Sequence, residues 1–215
     1  MKISLLHPSL GRPEQAWQTF EQWITASSMA MDDIEYILSL NSTDVTRERY
    51  RTLFETFSHA TILSSNSTNM VAASNVAAEH STGDILVLMS DDMFPPWMWD
   101  VSLKAEFTDD TPTVLQVHDG IRNDIMTLPI MNRAAYNKLG YIYHPKYLSM
   151  YADNDLAETA KAHGMYKVSE LQFEHKHYSV GKAPVDETYR KENSKVSYEY
   201  GFRTFEYRKR QGFPL

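Results

Sequence analysis

The stretch Ile85-Leu86-Val87-Leu88-Met89-Ser90-Asp91-Asp92 decides how this chain is read. Five consecutive apolar residues suit a strand covered on both faces, as in a parallel sheet. Such a strand runs through the core and presents the next residues, a serine and two adjacent carboxylates, at its carboxyl end. Open parallel sheets take their ligands beyond those ends. Two neighbouring acids repel each other unless a cation, hydrogen-bond donors or water compensate them. A divalent metal bridging one of them to a diphosphate would do so, and would neutralise charge on a departing nucleotide. The plainer alternative is that Asp91 or Asp92 caps the helix expected after Pro95.

Three other short apolar runs come first, at 3–7 (ISLLH), 34–40 (IEYILSL) and 60–64 (ATILS). Between the first two, Trp17, Phe20 and Ile24 recur at helical spacing; between the next two, Tyr50, Leu53, Phe54 and Phe57 do the same. The alanine-rich segment from Asn69 to His80 predicts a third helix packed closely on the sheet and stopped at Gly83. This β-α-β-α-β-α-β order gives a mainly parallel α/β sheet with right-handed crossovers, flanked by helices. Beyond Pro95 and Pro96 the pattern predicts a helix from Trp97 to Phe107. A strand pair follows at 113–118 and 125–131, with the turn formers Asp119-Gly120 and Asn123-Asp124 between. Helices at 133–139 and 153–163 come next, the second opened by Asp153 and closed by Gly164, then a short strand at 166–171. The tail from Asp186 shows no clear apolar face and is expected to order only over something it covers.

At 215 residues and 42% hydrophobic content the chain suits one domain. No run approaches the roughly 20 apolar residues of a membrane span, and His7, Pro8 and Arg12 interrupt any signal-peptide core, so the expectation is a cytoplasmic protein. There is no cysteine, which leaves carboxylates and 8 histidines as metal ligands and points to a fairly hard metal. The formal charge of −7 argues against a broad electrostatic grip on nucleic acid.

A leading strand, an Asn-Ser-Thr-Asp turn at 41–44, an alanine-rich helix containing Asn75 and an apolar strand running into Ser90-Asp91-Asp92 resemble the GT-A glycosyltransferases of the family-2-like group. The resemblance covers roughly the first 100 residues well and 125–180 loosely. It implies the GT-A fold, with a nucleotide-binding half at 1–100, an acceptor and metal half at 101–185, and a C-terminal lid or tail at 186–215. It also implies transfer of a sugar from a nucleotide-sugar, with UDP favoured, to an acceptor hydroxyl. In that family the acids after the fourth strand form a DXD motif. Here Ser90 stands at its first position, so Asp92 would hold manganese or magnesium and Asp91 would meet the ribose or a metal-bound water.

The same resemblance assigns Pro8, Ser9 and Arg12, after the first strand, to the loop that receives base and ribose; an ordinary strand-to-helix turn with Pro13 opening the helix fits equally. Asp44, beside Asn41, matches the aspartate that accepts from a uracil imide, although Asn, Ser, Thr and Asp also start helices. Asn75 would support the nucleotide loop. Asp153 keeps the aspartate of the family's Glu-Asp pair, the general base, while Ala152 replaces the glutamate; a helix cap is the competing role. His175 first, and His177 second, would complete the metal site with Asp92, since histidines two apart on an extended segment point the same way. Asp186, Tyr189, Arg190 and Lys191 would close over the diphosphate.

Together these imply an inverting transfer to an acceptor that is a glycan, a small molecule or a modified nucleic acid. Two other readings stand beside it: a nucleotidyltransferase of the same fold, against which the glycine-poor loop at 8–12 counts, and a non-catalytic binding module, to which Ser90 and Ala152 lend weight. The tail from Tyr198 to Arg210 interleaves aromatics with basic residues. It suits a segment packing its aromatics on the domain or a self-association surface of a homo-oligomer, and such a mix can also stack bases.

Overall fold

In the computed structural model, which describes residues 1–28, 33–122, 125–177, 180–182 and 185–215, the four apolar runs of the first half are strands. They are β1 (Ile3–Ser9), β2 (Ile34–Asn41), β3 (Ala60–Ser65) and β4 (Ile85–Leu88), and all four pair in parallel. The joining helices are α1 (Pro13–Thr25), α2 (Arg47–Phe54) and α3 (Met70–Glu79). Beyond the two-residue β5 (Met93–Phe94) come α4 (Trp99–Glu106), β6 (Val114–His118), β7 (Ile130–Asn132), α5 (Arg133–Leu139) and α6 (Ala152–Ala162). The chain ends with β8 (Tyr166–Gln172), β9 (Glu174–His175), α7 (Glu187–Glu192) and α8 (Lys195–Arg210).

Seven strands form one sheet in the order β3-β2-β1-β4-β7-β6-β8, and β5 pairs separately with β9. Only β7 runs antiparallel to its neighbours β4 and β6. The carboxyl ends of β1, β4 and β6 therefore lie along the same edge. One face of the sheet packs a cluster that includes Phe20, Trp23, Trp99 and Phe173; the other packs Val71, Ala77, Leu156 and Ala160. Each large side chain buried this completely is worth about 1.5–3 kcal/mol. Trp23 also donates its indole N–H to the Met93 carbonyl at 2.8 Å, which ties β5 to α1.

Three sequence expectations change. Helix α3 ends at His80, not Gly83. Gly83 instead lies where a Cβ would come within 2.7 Å of the Ser4 backbone nitrogen, so it serves close approach to β1. The strand expected at 125–131 shrinks to β7, because Pro129 has no N–H for the ladder; Met126 and Leu128 are buried all the same. The turn residues Asn123-Asp124 lie outside the described residues. Asp153 does not cap α6: Tyr151, left-handed at φ 70°, occupies that position, and Asp153 sits in the first turn.

The tail is not shapeless either. Asp186 caps α7 and Ser194 caps α8, each by accepting a backbone N–H. Arg208 is buried in an ion pair with Asp155 at 2.6 Å, and Tyr151 packs against Tyr198, Phe202 and Phe205. Among the described residues no helix is long and apolar enough to cross a membrane.

Candidate functional site

The carboxylates that end β4 diverge. Asp91 turns toward β1, where its Oδ1 takes a hydrogen bond from Ser9 Oγ at 2.8 Å and lies 3.0 Å from His7 Nε2; Arg12 stands 3.6 Å from Oδ2. His7 is held in turn by Tyr36, whose hydroxyl burial pushes far above its ordinary range. Asp92 turns the other way, accepts from Ser90 Oγ at 2.7 Å, and places Oδ2 3.4 Å from His175 Nε2. Burial alone would raise the Asp92 carboxyl, but His175, Ser90 and Arg12 outweigh it and hold it below the usual carboxylate range. Neither acid caps α4, whose first turn follows a left-handed Met98 with no side-chain cap.

His175 is brought to Asp92 by the β5–β9 pairing, and the Lys176 N–H donates to the Asp92 carbonyl at 2.8 Å. The other ring nitrogen, Nδ1, lies 3.5 Å from Oδ2 of Asp119, just past the end of β6. Burial alone would lower the ring's value, but two flanking carboxylates raise it to about 9. Asp119 is nearly inaccessible, and despite that burial its carboxyl is pulled well down by His175, the Ile121 and Arg122 N–H groups and Thr127. The His177 ring lies 4.8 Å from that of His175, on the same side of the segment; burial and the charge on His175 lower its value.

Beside these acids opens a cavity of 220 Å³. Of the residues singled out in the sequence, Pro8, Ser9, Arg12, Asn41, Ser90 and Asp91 form its wall; Asp44, Asn75, Asp92, Asp153, His175 and His177 do not. Asp44 builds the adjoining loop, accepting from the Gly11 N–H at 2.9 Å and from the N–H and hydroxyl of Thr46. Asn41 braces the same turn by accepting from Thr43 and donating to the Ser67 carbonyl. Asn75 reaches across to the segment after α5. Its amide spans 142–143, donating to the Tyr143 carbonyl and accepting from the Ile142 and Tyr143 N–H groups, and Tyr143 lines the cavity.

The two aspartates of α6 separate by role. Asp155 is spent on Arg208, Tyr147 and Thr159. Asp153 accepts from the Asn154 N–H through Oδ1 at 2.8 Å, and burial raises its pKa. Its charge adds to the burial that pushes the Tyr143 hydroxyl up.

Helix α7 crosses the cavity. Arg12 donates Nε and NH2 to Asp186 at 2.5 and 2.6 Å, Thr188 donates to the Leu10 carbonyl, and Thr188 and Glu192 join the wall. Burial raises the Glu192 carboxyl even though the Met70 N–H donates to it. Arg190 and Lys191 lie outside the wall. The sequence reading missed Asp119 and Glu192. Asp119 carried a usable signal, a carboxylate directly after a strand whose carboxyl end shares an edge with β4.

Among the described residues no three His, Asp or Glu side chains converge as a ready-made metal cage. Asp92 and His175, an oxygen and a nitrogen donor with a carboxylate behind the ring, do suit a hard divalent cation that takes its remaining ligands from phosphate and water.

No protein-family model and no curated protein matches the sequence. Solved structures do resemble the fold. A mannosyltransferase from Pyrobaculum calidifontis, in complex with GDP-Man and Mn2+, superposes with a TM-score of 0.63 at 16% identity, over 81% of this chain and 56% of that one. Residues 1–349 of S. aureus TarS give 0.63 at 14% identity, over 81% and 60%; its complex with UDP-GlcNAc gives 0.63 at 12%, over 81% and 58%. This chain thus spans less than two thirds of those chains, and what it shares with them is the GT-A fold.

Proposed function

We propose that this chain, as one GT-A domain, transfers a sugar from a nucleotide-sugar to an acceptor hydroxyl with inversion. The observation that carries the reading is the meeting of Asp92 with His175 at the carboxyl edge of the sheet, next to a cavity walled by Asp91 and Arg12. When bound there, manganese or magnesium would screen the charge of the leaving diphosphate. Asp91, fixed by His7 and Ser9, faces the ribose side of the cavity. Among nucleotides UDP stands first: Asp44 receives three donors on a carboxylate with about four acceptor positions, which leaves one for an imide N–H.

Asp153 takes the acceptor proton. Its Oδ1 is held by the Asn154 N–H, so Oδ2 is the basic atom, and burial makes that carboxylate a stronger base than an exposed one. As the hydroxyl oxygen bonds to the anomeric carbon, the bond from that carbon to the diphosphate oxygen breaks and the proton passes to Asp153. Helix α7, latched by Arg12 and Asp186, is the lid over this space. Lid opening before donor entry fits a cavity of 220 Å³, smaller than the about 300–1,000 Å³ of ordinary ligand sites.

A thermal-shift series with UDP- and GDP-sugars, with and without manganese, is the first test, since a ligand raises the melting point with occupancy and affinity. No shift with any nucleotide-sugar would remove the reading. For the base, Asp153→Asn should lower kcat by about 10²- to 10⁴-fold while donor binding stays unchanged. Wild-type turnover by that variant would exclude Asp153.

A further inference from the structure

Helix α2 buries two aromatic side chains, Tyr50 and Phe54, in the core beside α1. Phe54 shows that packing there needs only a ring, so the hydroxyl of Tyr50 calls for a separate account. That hydroxyl makes two hydrogen bonds, at 2.9 Å to the Arg12 backbone nitrogen and at 2.7 Å to Ser9 Oγ, the two ends of the loop between β1 and α1. Ser9, Arg12 and Asp91 line the cavity, and Tyr50, fully buried, stands behind them.

The direction of each bond in this chain is fixed by its ends. A backbone N–H only donates and a carboxylate only accepts. Tyr50 therefore accepts from Arg12, Ser9 spends its hydrogen on Asp91 Oδ1 at 2.8 Å, and the Tyr50 hydrogen goes to Ser9. Burial, and after it the charge of Asp91, raise the Tyr50 pKa above the ordinary phenol value, so the hydroxyl keeps that hydrogen. A second arm ends on the same oxygen: His7, tied to the Tyr36 hydroxyl at 2.8 Å, reaches Oδ1 at 3.0 Å. Thr19 pins the Asp91 carbonyl at 2.6 Å. Oδ1 is thus engaged by the protein, whereas Oδ2 stands 3.6 Å from Arg12, beyond ordinary hydrogen-bond reach.

We propose that Tyr50 is a positioning residue of the nucleotide site: through Ser9 it holds Asp91 with Oδ1 turned to the protein and Oδ2 available to a ribose hydroxyl. The inference rests on the reading of Asp91 as the ribose contact.

Tyr50→Phe keeps the ring and deletes the relay, and Ser9→Ala cuts it one link later. UDP and GDP, each with Mn2+, would be titrated into the full chain by calorimetry, with urea unfolding measured on the same variants. Tyr50→Phe should weaken binding of whichever nucleotide the wild type takes by about 3- to 10-fold, the scale of one lost hydrogen bond. In a Ser9→Ala background the same change should cost less than about twofold, because the link it acts through is already gone. The matching nucleoside monophosphate should show the same loss, since it keeps the ribose and lacks the second phosphate. A purely packing role would lower the urea midpoint and leave nucleotide affinity unmoved, and that result overturns the proposal. So does a loss of equal size in both backgrounds, or one seen only with the diphosphate. Should Tyr50→Phe fail to fold, Ser9→Ala decides: a loss of about 3- to 10-fold supports the relay and unchanged affinity overturns it. A wild type that binds neither nucleotide removes the proposed function and this inference with it, whereas wild-type binding that Tyr50→Phe leaves untouched removes the inference alone.

Discussion

Replacing Gly201 by alanine should destabilise the protein, against the usual sign. In the middle of a helix that exchange ordinarily stabilises by about 1 kcal/mol, because glycine loses more backbone freedom on folding. Gly201 lies within α8 where an added Cβ would overlap the Met150 carbonyl oxygen and stand 2.9 Å from its carbon. Unstrained carbon contacts begin near about 3.5 Å, so α8 would have to retreat by roughly 1 Å. Neither neighbour can yield cheaply: Met150 precedes the left-handed Tyr151, whose hydroxyl bonds Tyr198 at 2.8 Å. Overpacking of this kind costs about 1–3 kcal/mol, and retreat would also loosen the Arg208–Asp155 pair further along α8. Because the added Cβ would meet backbone, not a flexible side chain, the upper part of that range, about 2–3 kcal/mol, applies; less the propensity gain of about 1, a net loss of about 1–2 kcal/mol is expected, a sizeable part of the about 5–15 kcal/mol that holds a domain folded. Urea unfolding followed by circular dichroism measures it as a lower midpoint at unchanged slope. A Gly201→Ala protein as stable as wild type, or more so, would refute the close approach of α8 to 150–151.

Two further substitutions probe the same half of the molecule. Arg208→Met strands a buried Asp155 and should cost about 3–5 kcal/mol in urea unfolding, most of it recovered when Asp155→Leu is added; a penalty under about 1 kcal/mol would mean that the pair is solvated. Glu192→Gln removes a carboxylate from the cavity wall and should tighten UDP binding by about 1 kcal/mol, roughly fivefold, the scale of one like-charge contact at about 4 Å in water. Calorimetry showing unchanged or weaker binding would place Glu192 away from the diphosphate.

The first hundred residues were readable because burial on both faces leaves an unmistakable apolar run and the helices between carry their own period; β1 to β4 and α1 to α3 follow it. Asp91 and Asp92 were readable for the same reason, as what a buried strand delivers. The hidden parts depend on pairs distant in sequence. Asp119 looks like turn filler until β9 returns His175 to it, and the two-residue pairing of β5 with β9 is too short to leave a pattern. Helix α8 was hidden by the opposite effect. Its anchor is a charged residue, Arg208, and its closest approach is made by a glycine, so neither adds to an apolar stripe. Asn75 was noticed for the right reason, an unfavourable residue inside a helix, but its partner is the 142–143 backbone, which no local pattern names.

The charge inventory of the edge explains why a cation belongs to the proposed chemistry. Asp91, Asp92, Asp119 and Asp186 stand in contact pairs whose partners, among the described residues, are Arg12 and the rings of His7 and His175. Arg12 is already engaged by Asp186, and Glu192 brings another carboxylate to the wall. Even the first turn of α3, whose N–H groups would suit a phosphate, is taken up by the Asn69 side chain and by Glu192. A diphosphate entering such a site by itself would add negative charge where carboxylates already predominate, at a cost that falls slowly with distance in a partly buried cleft. Opening α7 would free Arg12 and withdraw Glu192 together, yet Asp91 and Asp92 would remain. A divalent ion, if held by Asp92 and His175 as proposed, would offset that repulsion. In the proposed reading the lid and the metal would answer two different parts of one electrostatic problem, and manganese should matter most once the lid has opened.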